Sequence, residues 1–192
     1  MGPLSQAATV GDPAPDFTAA DSNGKVHKLS DLKGKYVVLE WHNQSCPFVV
    51  SQYKGKMEKL QAKWMRQGVQ WFAVISSAPG MEGYAEASQA NDDFKNHKAH
   101  VTAVFLDPKG DLGHAYGAKT TPHMFVIDPK GTLIYDGAID NAPRVDEDVA
   151  KTDSGEPFVN YVDRALTDSM VNGKKVSVPS TPPYGCGVKY KD

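Results

Sequence analysis

Apolar positions fall in blocks along the chain, and the spacing changes between blocks. Tyr36 to Trp41 (YVVLEW) is a nearly continuous apolar run, followed by the polar stretch His42 to Ser45. Such a run suits a strand covered on both faces, as in an open parallel sheet. A helix is expected from Cys46-Pro47, because proline at the first helical position forfeits no hydrogen bond. It continues through Phe48, Val49 and Tyr53, and Gly55 loosens or kinks it. Met57, Leu60, Trp64 and Met65 then recur at helical spacing, and Gly68 closes that helix.

Val69 to Ser76 reads as a second buried strand. Gly83 to Lys98 reads as a mostly polar helix with Tyr84, Ala87, Ala90 and Phe94 inward. Val101 to Leu106 is a third strand, and Asp111 to Tyr116 a short helix. His123 to Ile127 and Thr132 to Asp136 are strands joined by the turn Asp128-Pro129-Lys130-Gly131. Pro157 to Asn172 is the last helix, with Phe158, Val162, Ala165, Leu166 and Met170 on one face. Nearer the start, Asp21 to Gly24 is a turn between Phe17-Thr18-Ala19 and Val26 to Leu29, which predicts a short hairpin. Strands alternating with helices and closing on a hairpin and helix argue for a three-layer α/β domain. Residues 1–9 read as a tag or disordered start, 10–175 as the domain, 141–156 as an exposed loop within it, and 176–192 as a tail carrying Cys186.

Composition narrows the function classes. A net charge of −2 gives no electrostatic reason to expect nucleic acid or an anionic membrane as partner. No apolar run approaches the roughly 18 residues of a membrane span. Met1 to Ser5 carries neither a basic nor an apolar signal region, so no signal peptide is visible. The two cysteines, Cys46 and Cys186, are too few for a disulfide scaffold and lack zinc-site spacing. A lone cysteine is usually a small buried core residue. Cys46 instead falls on a turn at a helix start, where the macrodipole and unpaired N–H groups favour the nucleophilic thiolate.

A strand, a turn, Cys-Pro at a helix start, then Thr121-Pro122 directly before a hairpin resembles the thioredoxin fold. In that fold the second proline is cis and lies beside the active cysteine. Within it the chain resembles the peroxiredoxin-like redoxins, the alkyl hydroperoxide reductase and thiol-specific antioxidant group. The resemblance is carried by GDPAPDF, VVLEWHNQSCPFV, AVISSAPG, LDPKG, GAKTTPHMFVIDPKG and YGCGVKY, and spans about residues 10 to 190. It implies a thioredoxin-like domain with an N-terminal hairpin extension and a C-terminal tail. It also implies a thiol oxidoreductase or peroxidase with Cys46 as nucleophile, a peroxide or a protein disulfide as substrate, an external thiol as reductant, and no cofactor. Similar redoxins with such a tail are commonly exported in bacteria, so the periplasm is the expected compartment and the cytoplasm the alternative.

Two departures from the family patterns bear on the reaction. Val49 stands where thioredoxins carry the second cysteine of Cys-x-x-Cys, and Leu39 and Asn43 stand where peroxiredoxins carry Pro and Thr or Ser. The only arginines are Arg66, Arg144 and Arg164. Glu40 occupies the position at which thioredoxins bury a proton-shuttling acid; the other reading is a glutamate facing solvent at the sheet's end. His42 either stabilises the thiolate or is a turn histidine without a role. Asn43, Gln44 and Ser45 offer donors at the helix mouth, with Ser45 a candidate cap, and Thr121 and Pro122 complete the substrate-binding set. Trp41 and Phe48 read as core. Cys186, between Gly185 and Gly187, is the candidate resolving thiol on a mobile tail, or else a buried or merely exposed tail cysteine. The competing function is a binding or metal-carrier protein on the same fold, with Cys46, His42 and His123 as soft-metal ligands.

Overall fold

The computed structural model describes residues 7–143 and 151–191. The expected tag residues 1–6, the 144–150 part of the expected loop, and Arg144 lie outside the described residues. The N-terminal hairpin forms as expected, with β1 (Thr18–Ala20) antiparallel to β2 (Val26–Lys28). The central sheet contains β3 (Val37–Trp41), β4 (Gln70–Ile75), β5 (Ala103–Leu106), β7 (His123–Ile127) and β8 (Leu133–Gly137), in the order β5-β4-β3-β7-β8. A two-residue β6 (Thr120–Thr121) precedes β7 outside this sheet.

The sheet is mixed rather than parallel throughout. β3 runs parallel to β4, and β4 to β5, because helical crossovers join them. β7 is antiparallel to both β3 and β8. The turn between β7 and β8 is fixed by Asp128, whose Oδ1 accepts the N–H groups of Lys130 and Thr132 at 2.9 Å each.

Pleat alternation divides β3 between two cores. Val38 faces Trp71, Ala73, Met124 and Val126, beneath α1 (Pro47–Gln52), α2 (Lys56–Met65), α3 (Ala87–Asn96) and α5 (Tyr161–Leu166). Val37, Leu39 and Trp41 face Phe72, Val74, Phe125 and Ile127, beneath α4 (Asp111–Tyr116) and flanked by Leu29. Trp41, Trp64 and Trp71 are fully buried, each contributing about 1.5–3 kcal/mol or more through apolar burial. All five residues of β3 are buried, so whatever follows its C-terminal end is held on a rigid platform.

Several boundaries differ from the sequence reading. The Cys46 helix is two pieces, since Gly55 at φ +115° stands in the left-handed region between α1 and α2. α3 starts at Ala87, not Gly83, because Gln89 reaches back to the Glu86 N–H at 2.9 Å and Glu86 becomes the cap. Tyr84 therefore lies before the helix, its hydroxyl donating to Glu86. The last helix starts at Tyr161, where Asn160 Oδ1 accepts the Asp163 N–H at 2.8 Å. Phe158 is thus outside it, and the helix ends in a widened turn over Thr167–Val171. Within the stretch read as a tag or disordered start, the Ala8 N–H donates to the Ala115 carbonyl at 3.2 Å. The tail contains a strand that no apolar run announced, β9 (Cys186–Gly187), antiparallel to β6.

Candidate active site

Cys46 is the N-cap residue of α1, with Pro47 immediately inside the helix, and is buried. The loop delivering it is shaped by Asn43, whose Oδ1 accepts the Ser45 N–H at 2.8 Å and whose Nδ2 donates to the Glu82 carbonyl at 3.3 Å. The expected cap by Ser45 does not form: Ser45 is exposed, α1 has no side-chain cap, and the cap position belongs to Cys46 itself.

Opposite Cys46 lies the Thr121–Pro122 peptide, which is cis. The Thr121 carbonyl oxygen is 3.1 Å from Cys46 Sγ. Strand β9 lies on the same loop, with Thr121 paired to Cys186 and Thr120 to Gly187. This pairing sets the two sulfurs 2.7 Å apart, both thiols free and sharing a hydrogen bond. The two thiols are driven in opposite directions. Burial works against the Cys46 thiolate, but hydrogen bonds from Cys186 and from the Thr121 side chain outweigh it and lower the Cys46 pKa. Burial raises Cys186, and its hydrogen bond and proximity to Cys46 push it further, to about 11. The two thiols are thus inequivalent, Cys46 being the more readily deprotonated of the pair.

Beneath the cysteine helix, Glu40 is 1% exposed, which excludes the solvent-facing reading. Its carboxylate accepts from Tyr53 Oη at 2.5 Å, Trp71 Nε1 at 2.8 Å and Gln61 Nε2 at 3.1 Å. Among the described residues it makes no hydrogen bond to either sulfur. His42 is buried between Asp93, 3.0 Å from its Nε2, and Glu40, 3.6 Å from its Nδ1. Burial alone would lower the His42 pKa; the Asp93 hydrogen bond and the nearby charges of Asp93 and Glu40 raise it instead. His123 is also committed, with Nε2 2.7 Å from Asp136 and Nδ1 accepting the Lys119 N–H at 3.0 Å. That pair braces the cis-proline loop. His42 and His123 are therefore each tied to a carboxylate, and among the described residues no cluster of three metal-ligating groups forms.

The sequence reading missed the residues that hold the tail. Tyr184 Oη donates to Asp140 Oδ1 at 2.5 Å, and Gln52 Nε2 donates to Asp140 Oδ2 at 2.9 Å. On the far side of Cys186, Tyr190 Oη donates to the Ala118 carbonyl at 2.7 Å, and its ring stacks on His114 at 4.0 Å. The tyrosines that begin and end YGCGVKY were the available signal; Asp140 had none.

A family model described as AhpC/TSA matches residues 10–136. The thiol-disulfide oxidoreductase ResA of Geobacillus thermodenitrificans is 29% identical over 127 residues, covering 66% of this chain and 68% of that protein. An uncharacterized conserved protein from Geobacillus kaustophilus superposes with a TM-score of 0.80 at 23% identity, over 97% of this chain and 95% of that one. The thioredoxin domain of a thiol-disulfide oxidoreductase from Bacteroides vulgatus gives a TM-score of 0.53 at 22% identity, over 68% of this chain and 89% of that one. The thioredoxin-like fold expected from the two motifs stands, as does the redoxin assignment, and thiol-based oxidoreductase chemistry is the activity these matches support. On the match over residues 10–136, the chain belongs to the AhpC/TSA family.

Proposed function

We propose that the protein is a thiol-disulfide oxidoreductase cycling between a Cys46/Cys186 dithiol and an intramolecular disulfide. The observation that carries this reading is the 2.7 Å separation of the two sulfurs, with the Cys46 pKa lowered and that of Cys186 raised. Cys46 thiolate attacks one sulfur of a substrate disulfide, forming a mixed disulfide and expelling the first substrate thiolate, which takes up a proton. Cys186 gives up its proton as it attacks Cys46 Sγ, and the second substrate thiol leaves. The substrate gains two electrons and two protons; the enzyme loses them as Cys46–Cys186. An external dithiol returns the pair to the reduced state.

A disulfide substrate suits the site better than a peroxide. Asn43, at the position where peroxiredoxins carry a hydroxyl, uses its amide to shape the cysteine loop, and Arg66 donates its Nε–H to the Ala62 carbonyl. The ResA relative, named a thiol-disulfide oxidoreductase, supports the same choice. A cycle through a protein disulfide suits an exported, oxidising compartment such as the periplasm. No helix among the described residues is long and apolar enough to cross a membrane.

The test is a reaction with one equivalent of a small disulfide, followed by non-reducing peptide mapping. A Cys46–Cys186 disulfide and two released thiols are expected, with Cys186→Ser stopping at a mixed disulfide on Cys46. Cys46 left unmodified would overturn the proposal.

A further inference from the structure

Asp140 is a buried carboxylate, 1% exposed, that takes part in none of the chemistry above. Its Oδ1 accepts from Tyr184 Oη at 2.5 Å and from the Ala142 N–H at 2.9 Å. Its Oδ2 accepts from Gln52 Nε2 at 2.9 Å and lies 3.5 Å from Lys56 Nζ. Gln52 also reaches Tyr184 Oη at 3.2 Å. Two of these partners belong to the sulfur-bearing segments. Gln52 is on α1, the helix that Cys46 caps, and Tyr184 is two residues before Cys186. The Tyr184 ring also packs against Phe48 of α1, with centroids 5.9 Å apart.

We propose that Asp140 is a positioning residue for the resolving thiol, joining the tail that carries Cys186 to the helix that begins at Cys46. The proposal rests on the dithiol cycle of the preceding section. A buried carboxylate tolerates the loss of a hydrogen bond poorly, so Tyr184 is held in place and the tail is docked before any oxidation occurs. Docking in the reduced state removes, in advance, the conformational freedom that Cys186 would otherwise lose on reaching Cys46. The latch therefore raises the effective concentration of Cys186 at Cys46 and makes the disulfide harder to reduce.

The test is a pair of variants, Tyr184→Phe and Asp140→Asn, equilibrated in glutathione redox buffers while the Cys46–Cys186 disulfide is quantified. Tyr184→Phe keeps the ring packed and removes only the hydroxyl, so it decides the matter if Asp140→Asn fails to fold. The equilibrium constant for disulfide formation should fall about tenfold, moving the potential about 30 mV upward for this two-electron couple. The Cys46–glutathione mixed disulfide should also persist longer. A residue that merely stabilises the fold would lower the stability of both redox forms alike, so an unchanged potential with a lowered unfolding midpoint overturns the inference. If the wild-type protein forms no Cys46–Cys186 disulfide, the dithiol reading itself falls, and the positioning role with it.

Discussion

Gly185 carries no side chain at a point where a Cβ would lie 2.0 Å from the carbonyl oxygen of Thr121. Its backbone also sits at φ +135°, a conformation that L side chains rarely adopt. The tail reaches the cis-proline loop only because this position is glycine. Gly185→Ala should therefore lift β9 from β6, at a cost of about 1–3 kcal/mol. Alkylation of Cys46 by iodoacetamide, read at a pH above its titration so that only exposure counts, should quicken as its cover leaves, while disulfide formation slows by about tenfold or more. Unaltered rates of both would mean that the tail docks by some other route.

Cys186 is also the foremost influence lowering the Cys46 pKa against burial. Removing it with Cys186→Ala should move the Cys46 titration to higher pH, and the rate of Cys46 alkylation should follow. Thiolate ultraviolet absorbance across a pH series measures this directly. A titration that stays put would place the thiolate's stabilisation in the helix terminus instead.

Glu40 receives hydrogen bonds from Tyr53, Trp71 and Gln61 at the centre of the core. Glu40→Ala should destabilise the fold by about 3–5 kcal/mol, because three buried donors lose their acceptor. Urea unfolding reads this. With no hydrogen bond from Glu40 to either sulfur among the described residues, Glu40→Gln should cost more in stability than in exchange rate. A rate loss above tenfold at unchanged stability would restore a proton-shuttle role.

The His42–Asp93 pair gives a pH signature with a definite sign. His42 has a raised pKa in the fold, so its contribution is fully present below its unfolded pKa near 6.5 and is lost as pH rises through the folded value. Asp93 has a lowered pKa: burial opposes the shift, and the hydrogen bond and charge of His42 outweigh it. Its contribution is present above the unfolded pKa near 3.8 and is lost as pH falls through the folded value. Wild type should thus exceed Asp93→Asn in stability by about 1.5–3 kcal/mol in the weakly acidic range between these limits. The gap should shrink as the solution is made alkaline. Thermal melts at several pH values test it, and a gap that widens toward alkaline pH contradicts the assignment.

The strand ending in a Cys-Pro helix start, and the Thr-Pro before a hairpin, were legible because each depends on local backbone preference. Apolar blocks located the sheet, and Asp128 to Gly131 located its hairpin. Local preference could not reveal which side a polar residue faces. Glu40 reads equally well as exposed, and His42 as a turn histidine without a role, until Tyr53, Trp71 and Asp93 are brought from distant segments. Strand β9 was invisible for a related reason: a two-residue strand, Cys186–Gly187, has no apolar period, and its ordering comes from Thr120 and Thr121. Asp140 gained its meaning only through partners brought from α1, α2 and the tail.

A segment with so little regular structure is ordinarily the first to exchange its amides or meet a protease. Here Tyr184 and Tyr190 anchor the segment on either side of Cys186, and the Val188 N–H and Lys189 carbonyl add bonds to Lys119 and Ala78. Cys186 therefore hangs like the midpoint of a string fastened at both ends. Hydrogen exchange should find its neighbours slow rather than fast. A partner thiol seeking Cys46 has to loosen a fastened cord, not brush aside a loose thread.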